Sequence, residues 1–278
     1  MRQAITLTLL ALCAFSGKSF AEEAAAVTAA TPATPAAADK SAAQGDSMMA
    51  GIGLAYVPEY AGADKSRVLP LPFLEKTYAN GVFLSTRRGI GYGTALGDFH
   101  VSAALGYDGG REDHKENYFS GSDDLIGMGK IKGSALAVLS VGYKLGDLGL
   151  SLTTKQNLSH REYGNTYTLG MEMPIYTTAS DQLAFGAGAE FADRKRMQTY
   201  FGVTAAQSVG TGNRYRIFTP DGGLANVSAG VNWTHVIDSN WVVRSAVGVN
   251  RLTGDAADSP LTKRKTTPML MTALIYKF

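Results

Sequence analysis

Pro268-Met269-Leu270-Met271-Thr272-Ala273-Leu274-Ile275-Tyr276-Lys277-Phe278 ends the sequence, and its alternation is the starting point for the fold. Leu270, Leu274, Tyr276 and Phe278 share one parity, so a strand turns all four to one face. The stretch is about as long as the 9–11 residues that a tilted strand needs to cross a bilayer. An amphipathic edge strand of a soluble domain has the same pattern, so the rest of the chain must decide between the two.

The other end carries export chemistry. Met1-Arg2-Gln3 is basic, Ala4 to Phe15 is an apolar run too short for a membrane helix, and Ser19-Phe20-Ala21 is a small-x-small site before Glu22. This pattern predicts a secretory signal peptide over residues 1–21. The only cysteine, Cys13, falls inside it, preceded by Leu12 and followed by Ala-Phe, which departs from a lipoprotein box. The mature chain then has neither disulfide nor thiolate chemistry. Arg2 and Lys18 leave with the signal, which takes 26 basic residues to 24 against 24 acidic ones. That balance gives no reason to expect nucleic acid or a polybasic membrane patch. Residues 22–47 are Ala/Thr/Pro-rich with almost no large apolar side chain, and predict a disordered periplasmic segment.

From residue 48 to 278 the chain alternates. Ile52, Leu54 and Tyr56 oppose glycine and alanine; Phe99, Val101, Ala103, Leu105 and Tyr107 oppose His100, Ser102, Ala104 and Gly106. The pattern recurs through Ala135–Tyr143, Leu148–Lys155, Thr166–Met173, Leu183–Phe191, Asn226–Trp233 and Trp241–Asn250. No further apolar run approaches 18 residues, so no membrane helix is expected. In lipid only helices and closed barrels satisfy every backbone group, which leaves an antiparallel transmembrane β-barrel. A soluble barrel would invert the two faces, and periodicity alone does not separate the two. Gly97-Asp98 and Gly146-Asp147 are tight hairpin signals, whereas 109–129, 207–222 and 253–266 are long loops. The count is 12 strands. It becomes 14 if residues 80–96 hold two strands and Asn213–Thr219 another. Phe278, Tyr276 and Leu274 on one face also resemble the signal read by the barrel-assembly machinery.

Several motifs resemble the MipA/OmpV family of outer-membrane proteins, the family of the MltA-interacting protein. They are Pro58-Glu59-Tyr60-Ala61-Gly62-Ala63-Asp64, Leu69-Pro70-Leu71-Pro72, Gly109-Gly110-Arg111, Tyr200-Phe201-Gly202-Val203, Arg251 through Pro260, and the terminal Tyr276-Lys277-Phe278. The resemblance covers about residues 50–278 and implies a bacterial outer membrane location beside lipopolysaccharide. It also implies a scaffold role, joining a membrane-bound lytic transglycosylase to a bifunctional penicillin-binding synthase in cell-wall growth. The family has no agreed functional residues, so none is carried over. A narrow channel or receptor for small solutes, including antibiotics, is the alternative.

Locally, Pro70 and Pro72 remove ladder donors and belong at a sheet edge, bulge or strand end. His100 and Ser102 share a strand face, but their parity points to the lumen and no Gly-x-Ser-x-Gly elbow accompanies them, so no enzyme is expected. The acidic stretch Glu112, Asp113, His114, Glu116, Asp123, Asp124 lacks EF-hand spacing and reads as a solvated loop; no cofactor or metal is expected. Lys130, Lys132, Lys144, Lys155, Glu172, Glu190 and Arg244 all fall on the lumen parity. Both signs are present, which predicts internal ion pairs and a largely occluded pore. On that reading, replacing Arg244 and Glu190 together by alanine raises conductance.

Overall fold

The computed structural model describes residues 45–116 and 118–278. The expected signal peptide and most of the 22–47 segment therefore lie outside the described residues. Twelve strands form one closed antiparallel barrel. They are β1 (Ser47–Pro58), β2 (Ser66–Thr77), β3 (Val82–Ser85), β4 (Gly89–Leu96), β5 (Phe99–Asp108) and β6 (Ser134–Leu145). Then follow β7 (Leu148–Asn157), β8 (Thr166–Thr177), β9 (Asp181–Ala192), β10 (Gly223–Val236), β11 (Trp241–Leu252) and β12 (Thr266–Lys277). The final stretch of the sequence closes the wall, with β12 running against β1 from Met49↔Lys277 to Tyr56↔Leu270. Three short helices interrupt the loops: α1 (Arg194–Phe201), α2 (Ala205–Gly210) and α3 (Gly254–Asp258).

The strand count resolves at 12. Residues 80–96 do hold two strands, β3 and β4, but Asn213–Thr219 adds none to the wall; Phe218 merely bridges to Val203. Short and long connections fail to alternate by length because the β3–β4 turn, residues 86–88, faces the long-loop side yet is short and stops within the wall. The other end carries both the start of β1 and the C-terminus, where Phe278 N donates to Met48 O. In outer-membrane barrels short turns are periplasmic and long loops extracellular, which orients the molecule.

The faces exclude the inverted, soluble arrangement. Outward-facing Ile52 is 66% exposed and Leu105 65%, and Leu139, Leu169, Val247 and Leu270 are exposed with them. A lipid-facing band has this character. The inward face is mixed: Ser102, Ser140 and Thr153 stand among Leu69, Leu136, Val242 and Ile275, which are buried. Tyr276 meets Trp241 edge-on at 5.0 Å and Phe278 at 4.9 Å, and Phe99 lies 4.6 Å from Tyr143. These rings form the inner aromatic belt. Leu274, Tyr276 and Phe278 follow one another on the outward parity, at the seam where the barrel closes.

Proline positions follow the hydrogen-bond pattern. Pro174 sits at the β8 bulge, where the register shifts between Pro174 and Tyr176. Pro70 and Pro72 lie in β2 beyond the reach of β3, which pairs only with Glu75, Lys76 and Thr77.

Candidate functional site

The outer end of the barrel is covered by a small domain built from loops. Residues 59–65, 109–133, 193–222 and 253–265 contribute Tyr60, Ala63, Leu125, Met128, Val203, Tyr215 and Leu261 to one apolar core, with Phe218 against it. A second core joins α1, α3 and the strand ends through Met197, Phe201, Leu252, Ala256 and Ala257. Burying side chains such as Leu125 or Leu261 is worth ~1.5–3 kcal/mol each. The motifs that carried the family resemblance meet here, apart from the one in β2 and the terminal Tyr276-Lys277-Phe278, which lies at the inner end. Tyr60 Oη donates to Leu261 O at 3.1 Å, Ser259 Oγ to Phe201 O at 2.6 Å, and Arg111 Nη1 to Tyr200 O at 2.8 Å.

Local sequence explains the cap's shape. Asp193 caps α1 by accepting from Arg196 N at 2.8 Å, and Thr204 with Gln207 forms a capping box at α2. Gln207 Nε2 then reaches across to Met128 O at 2.7 Å. Gly62 has φ +94°, and a Cβ there would lie 2.8 Å from Thr262 Oγ1. Its carbonyl accepts from both Lys263 N and Arg264 N, which ties the first loop to the last.

Two carboxylates of the acidic stretch are matched to lysines. Glu112 pairs with Lys130, and Asp124 lies 2.7 Å from Lys263 and 3.7 Å from Lys65. Burial pushes the Asp124 carboxyl up, but the hydrogen bond and charge of Lys263 outweigh it and hold it below the usual range. Lys263 is raised in turn: burial opposes its charge, and Asp124 more than compensates. Glu59, of the first motif, is nearly buried and accepts from Ser122 Oγ at 2.7 Å, with Arg67 and Lys115 each at 3.7 Å. Arg67 projects inward from β2 and donates to the carbonyls of Tyr118 and Gly121, fastening the cap to the wall.

Below the cap the lumen holds two charge clusters. In the upper one Arg196 donates to Asp108 at 2.9 Å, Tyr200 Oη to Asp108 at 3.3 Å, and Asn226 Nδ2 to Glu190 at 3.1 Å. Lys155 is an electrostatic neighbour of Glu190, Arg196 and Asp108. In the lower one Asn232 Nδ2 donates to Glu172 at 3.1 Å, Arg88 pairs with Glu75, and Arg87 and Arg244 lie within electrostatic reach of Glu172. Lys155 and Glu190 therefore come together, as do Glu172 and Arg244.

The wall placement of two lysines, Lys132 and Lys130, is corrected. Lys132 is not on the wall: it is exposed in the loop ahead of β6, and its backbone N donates to Tyr163 Oη, so strand parity never applied to it. Lys130 belongs to the same loop, and Lys144 stands exposed at the inner end of β6. Glu190 lies in the upper cluster and Arg244 in the lower one, so the double alanine substitution acts on both. His100 and Ser102 face the lumen opposite Gly142 and Ser140. Sequence reading missed Glu75, whose parity was readable, and Arg87, Arg88, Arg196 and Asp108. Arg87, Arg88 and Arg196 sit in a turn or helix, where a two-residue period gives no direction.

At the outer rim a half-open cleft of about 560 Å³ is lined in part by Asn157, Arg161, Asn165, Arg194 and Lys195. The inner rim is different. Asp98, Asp147 and Asp238 stand exposed in its tight turns, while Asp181 is held by His235 at 2.8 Å and by Trp233 Nε1 at 2.9 Å.

The profile of a family described as MltA-interacting protein MipA matches residues 50–278. None of the curated proteins compared with this sequence matches it. Among solved structures, the chain is similar to the KdgM porin at 11% identity, covering 83% of this chain and 99% of that one, with a TM-score of 0.41. It is similar to another porin at 11% identity, covering 84% and 99%, with a TM-score of 0.34. OmpT, an outer membrane protein of Vibrio cholerae, matches at 10% identity over 84% and 100%, with a TM-score of 0.36.

Proposed function

The chain belongs to the MltA-interacting protein MipA family, and from that premise we propose that this outer-membrane barrel is a non-enzymatic scaffold for cell-wall enzymes. Its partners are a membrane-bound lytic transglycosylase and a bifunctional penicillin-binding synthase. The match across residues 50–278 is the observation that carries the reading. Two features of the molecule support it. The outer end is committed to its own apolar cores, so the surface left for periplasmic enzymes is the inner rim and the 22–47 segment. That rim presents Asp98, Asp147 and Asp238 in solvent, suited to a basic patch on a partner. Export by the 1–21 signal and reading of Leu274, Tyr276 and Phe278 by the assembly machinery complete the proposal. Lipopolysaccharide is the neighbour at the outer rim, where Arg161, Arg194 and Lys195 suit its phosphates.

The test is a crosslinked pull-down of the intact protein from envelopes, beside a version lacking residues 22–47. Recovery of a transglycosylase or synthase supports the scaffold, and loss on deletion places the contact in that segment. Recovery of lipopolysaccharide and assembly factors alone sinks it. A narrow channel is the second reading, favoured by the cationic surplus of the lower cluster: Arg87, Arg88 and Arg244 against Glu75 and Glu172. It predicts anion-selective conductance in planar bilayers, whereas the scaffold, with Lys155, Glu172, Glu190 and Arg244 closing the lumen, predicts none.

A further inference from the structure

The wall is incomplete beside β2. β3 is four residues long, and its seam with β2 ends where Thr86 N donates to Leu74 O at 3.0 Å and Thr86 Oγ1 to Pro72 O at 3.2 Å. Beyond that point β2 continues to Ser66 with only β1 as a ladder neighbour among the described residues. Along a strand the backbone groups of alternate residues face alternate sides. Leu74 turns its N–H and C=O toward β3, so residues 72, 70 and 68 do the same. Two of those three are Pro72 and Pro70, which have no N–H to offer.

This edge lies at membrane depth. Val68 is the register partner of Tyr56 near the outer ends of β1 and β2, and the free edge runs from there toward the middle of the wall. In lipid an open edge with unmet donors is expensive; here the prolines remove two of the three donors. They also make the edge a poor template for an added strand, because two of the three donors of a new ladder are missing. A second copy or a partner's strand is therefore a poor occupant. Most of what surrounds the gap is apolar; the inward exception is Arg67, which is engaged by Glu59 and the cap carbonyls. Outward stand Val68, Ile90 and Leu105, all exposed. Inward, Leu69 and Leu71 pack with Phe119 and Met271, and Val138 lies close to Gly106 on β5.

The floor of the gap is charged. It is the β3–β4 turn, where Arg88 pairs with Glu75 and lies 4.1 Å over the Phe83 ring. The neighbouring Arg87 makes no ion pair at contact distance among the described residues, and its electrostatic neighbours are Glu75, Arg88, Arg244 and Glu172. Three guanidiniums face two carboxylates, which leaves one positive charge unbalanced inside the wall.

We propose that the gap beside β2 is a lateral port that binds a single-chain anionic amphiphile of the fatty-acid class. The tail lies in the gap between Pro70, Pro72 and the inward leucines, and the carboxylate meets Arg87 in the lumen. The head must pass through the wall to reach Arg87, which favours a compact carboxylate over the head group of a diacyl lipid. The proposal does not depend on the scaffold reading.

The full chain in phosphatidylcholine vesicles is irradiated with a palmitate analogue carrying a diazirine in its tail, and labelled peptides are mapped. Labels are expected on inward-facing Leu71 and Val138 as well as on lipid-facing Val247 and Leu270. The methyl ester of the probe, or Arg87→Gln with the acid, should lower lumen labelling about tenfold, the worth of one charge-assisted contact, and leave the lipid-facing labels unchanged. Labels confined to lipid-facing residues overturn the port. Lumen labels equal for acid and ester overturn the role of Arg87. If Arg87→Gln fails to fold, judged by heat-modifiable mobility on gels, the acid–ester comparison on the unaltered protein still decides.

Discussion

The two ends of the barrel are stabilised by different means. At the outer end four loops bury tyrosine, leucine, valine and methionine side chains in cores of the soluble-protein kind. At the inner end short turns join strands directly, and what they show to solvent is charge and aromatic belt. The outer end is therefore a folded lid whose integrity depends on side-chain packing. The inner end depends on the wall beneath it and is free to meet something else.

That contrast is broken first by the buried charge linking cap to wall. Arg67→Ala leaves Glu59 buried beside only Lys115, and removing one partner of such a pair costs ~3–5 kcal/mol. Amide exchange should accelerate across 109–133 and 59–65 while β6 to β12 keep their protection. Slightly smaller is Leu261→Ala, which opens a void in the first cap core at ~2–5 kcal/mol. Trypsin should then cut after Lys263 and Arg214, with the heat-modifiable mobility of the barrel intact. If the barrel loses that mobility as well, the two ends are not independent.

The third effect is pH-dependent. Asp124 is held below its ordinary value, so its contribution is complete above about pH 4 and is lost as the pH falls through its lower folded value. Lys263 is raised, so its share is complete below about pH 10 and is lost as the pH rises through its higher folded value. Exchange protection of the cap should be flat between those limits and fall at both, by about 1 kcal/mol for so exposed a pair. Asp124→Asn should abolish the acid limb and leave the inner turns unaffected. The smallest effect belongs to the inner end: Gly146 has φ +60°, and Gly146→Ala should cost ~1–2 kcal/mol confined to the β6–β7 hairpin. Exchange measured on Leu145 and Leu148 checks it.

The same contrast explains what the sequence could tell. A wall strand has a period of two, so the closing strand through Leu270, Leu274 and Tyr276 and the two-faced wall were readable from spacing; which face turns outward was not, because a soluble barrel has the same period with its faces inverted. The period ends where the wall ends. Lys132 has the parity of a lumen residue and stands in a loop, two positions before β6 begins. The cap was invisible for the same reason: Tyr60, Leu125, Val203 and Leu261 meet across up to 201 positions of chain with no repeat to announce them. Only the prolines hinted at the gap. Pro70 and Pro72 pointed to a sheet edge, bulge or strand end, and the short β3 leaves them on an edge.

The most direct test of the account places a photoreactive residue at Asp98 or Asp147 on the inner rim and, separately, at Asn213 in the cap, and irradiates intact envelopes. The account predicts adducts with a lytic transglycosylase or penicillin-binding synthase from the inner positions and none from Asn213. Inner positions that yield no such adduct, or adducts formed from the cap instead, would contradict it.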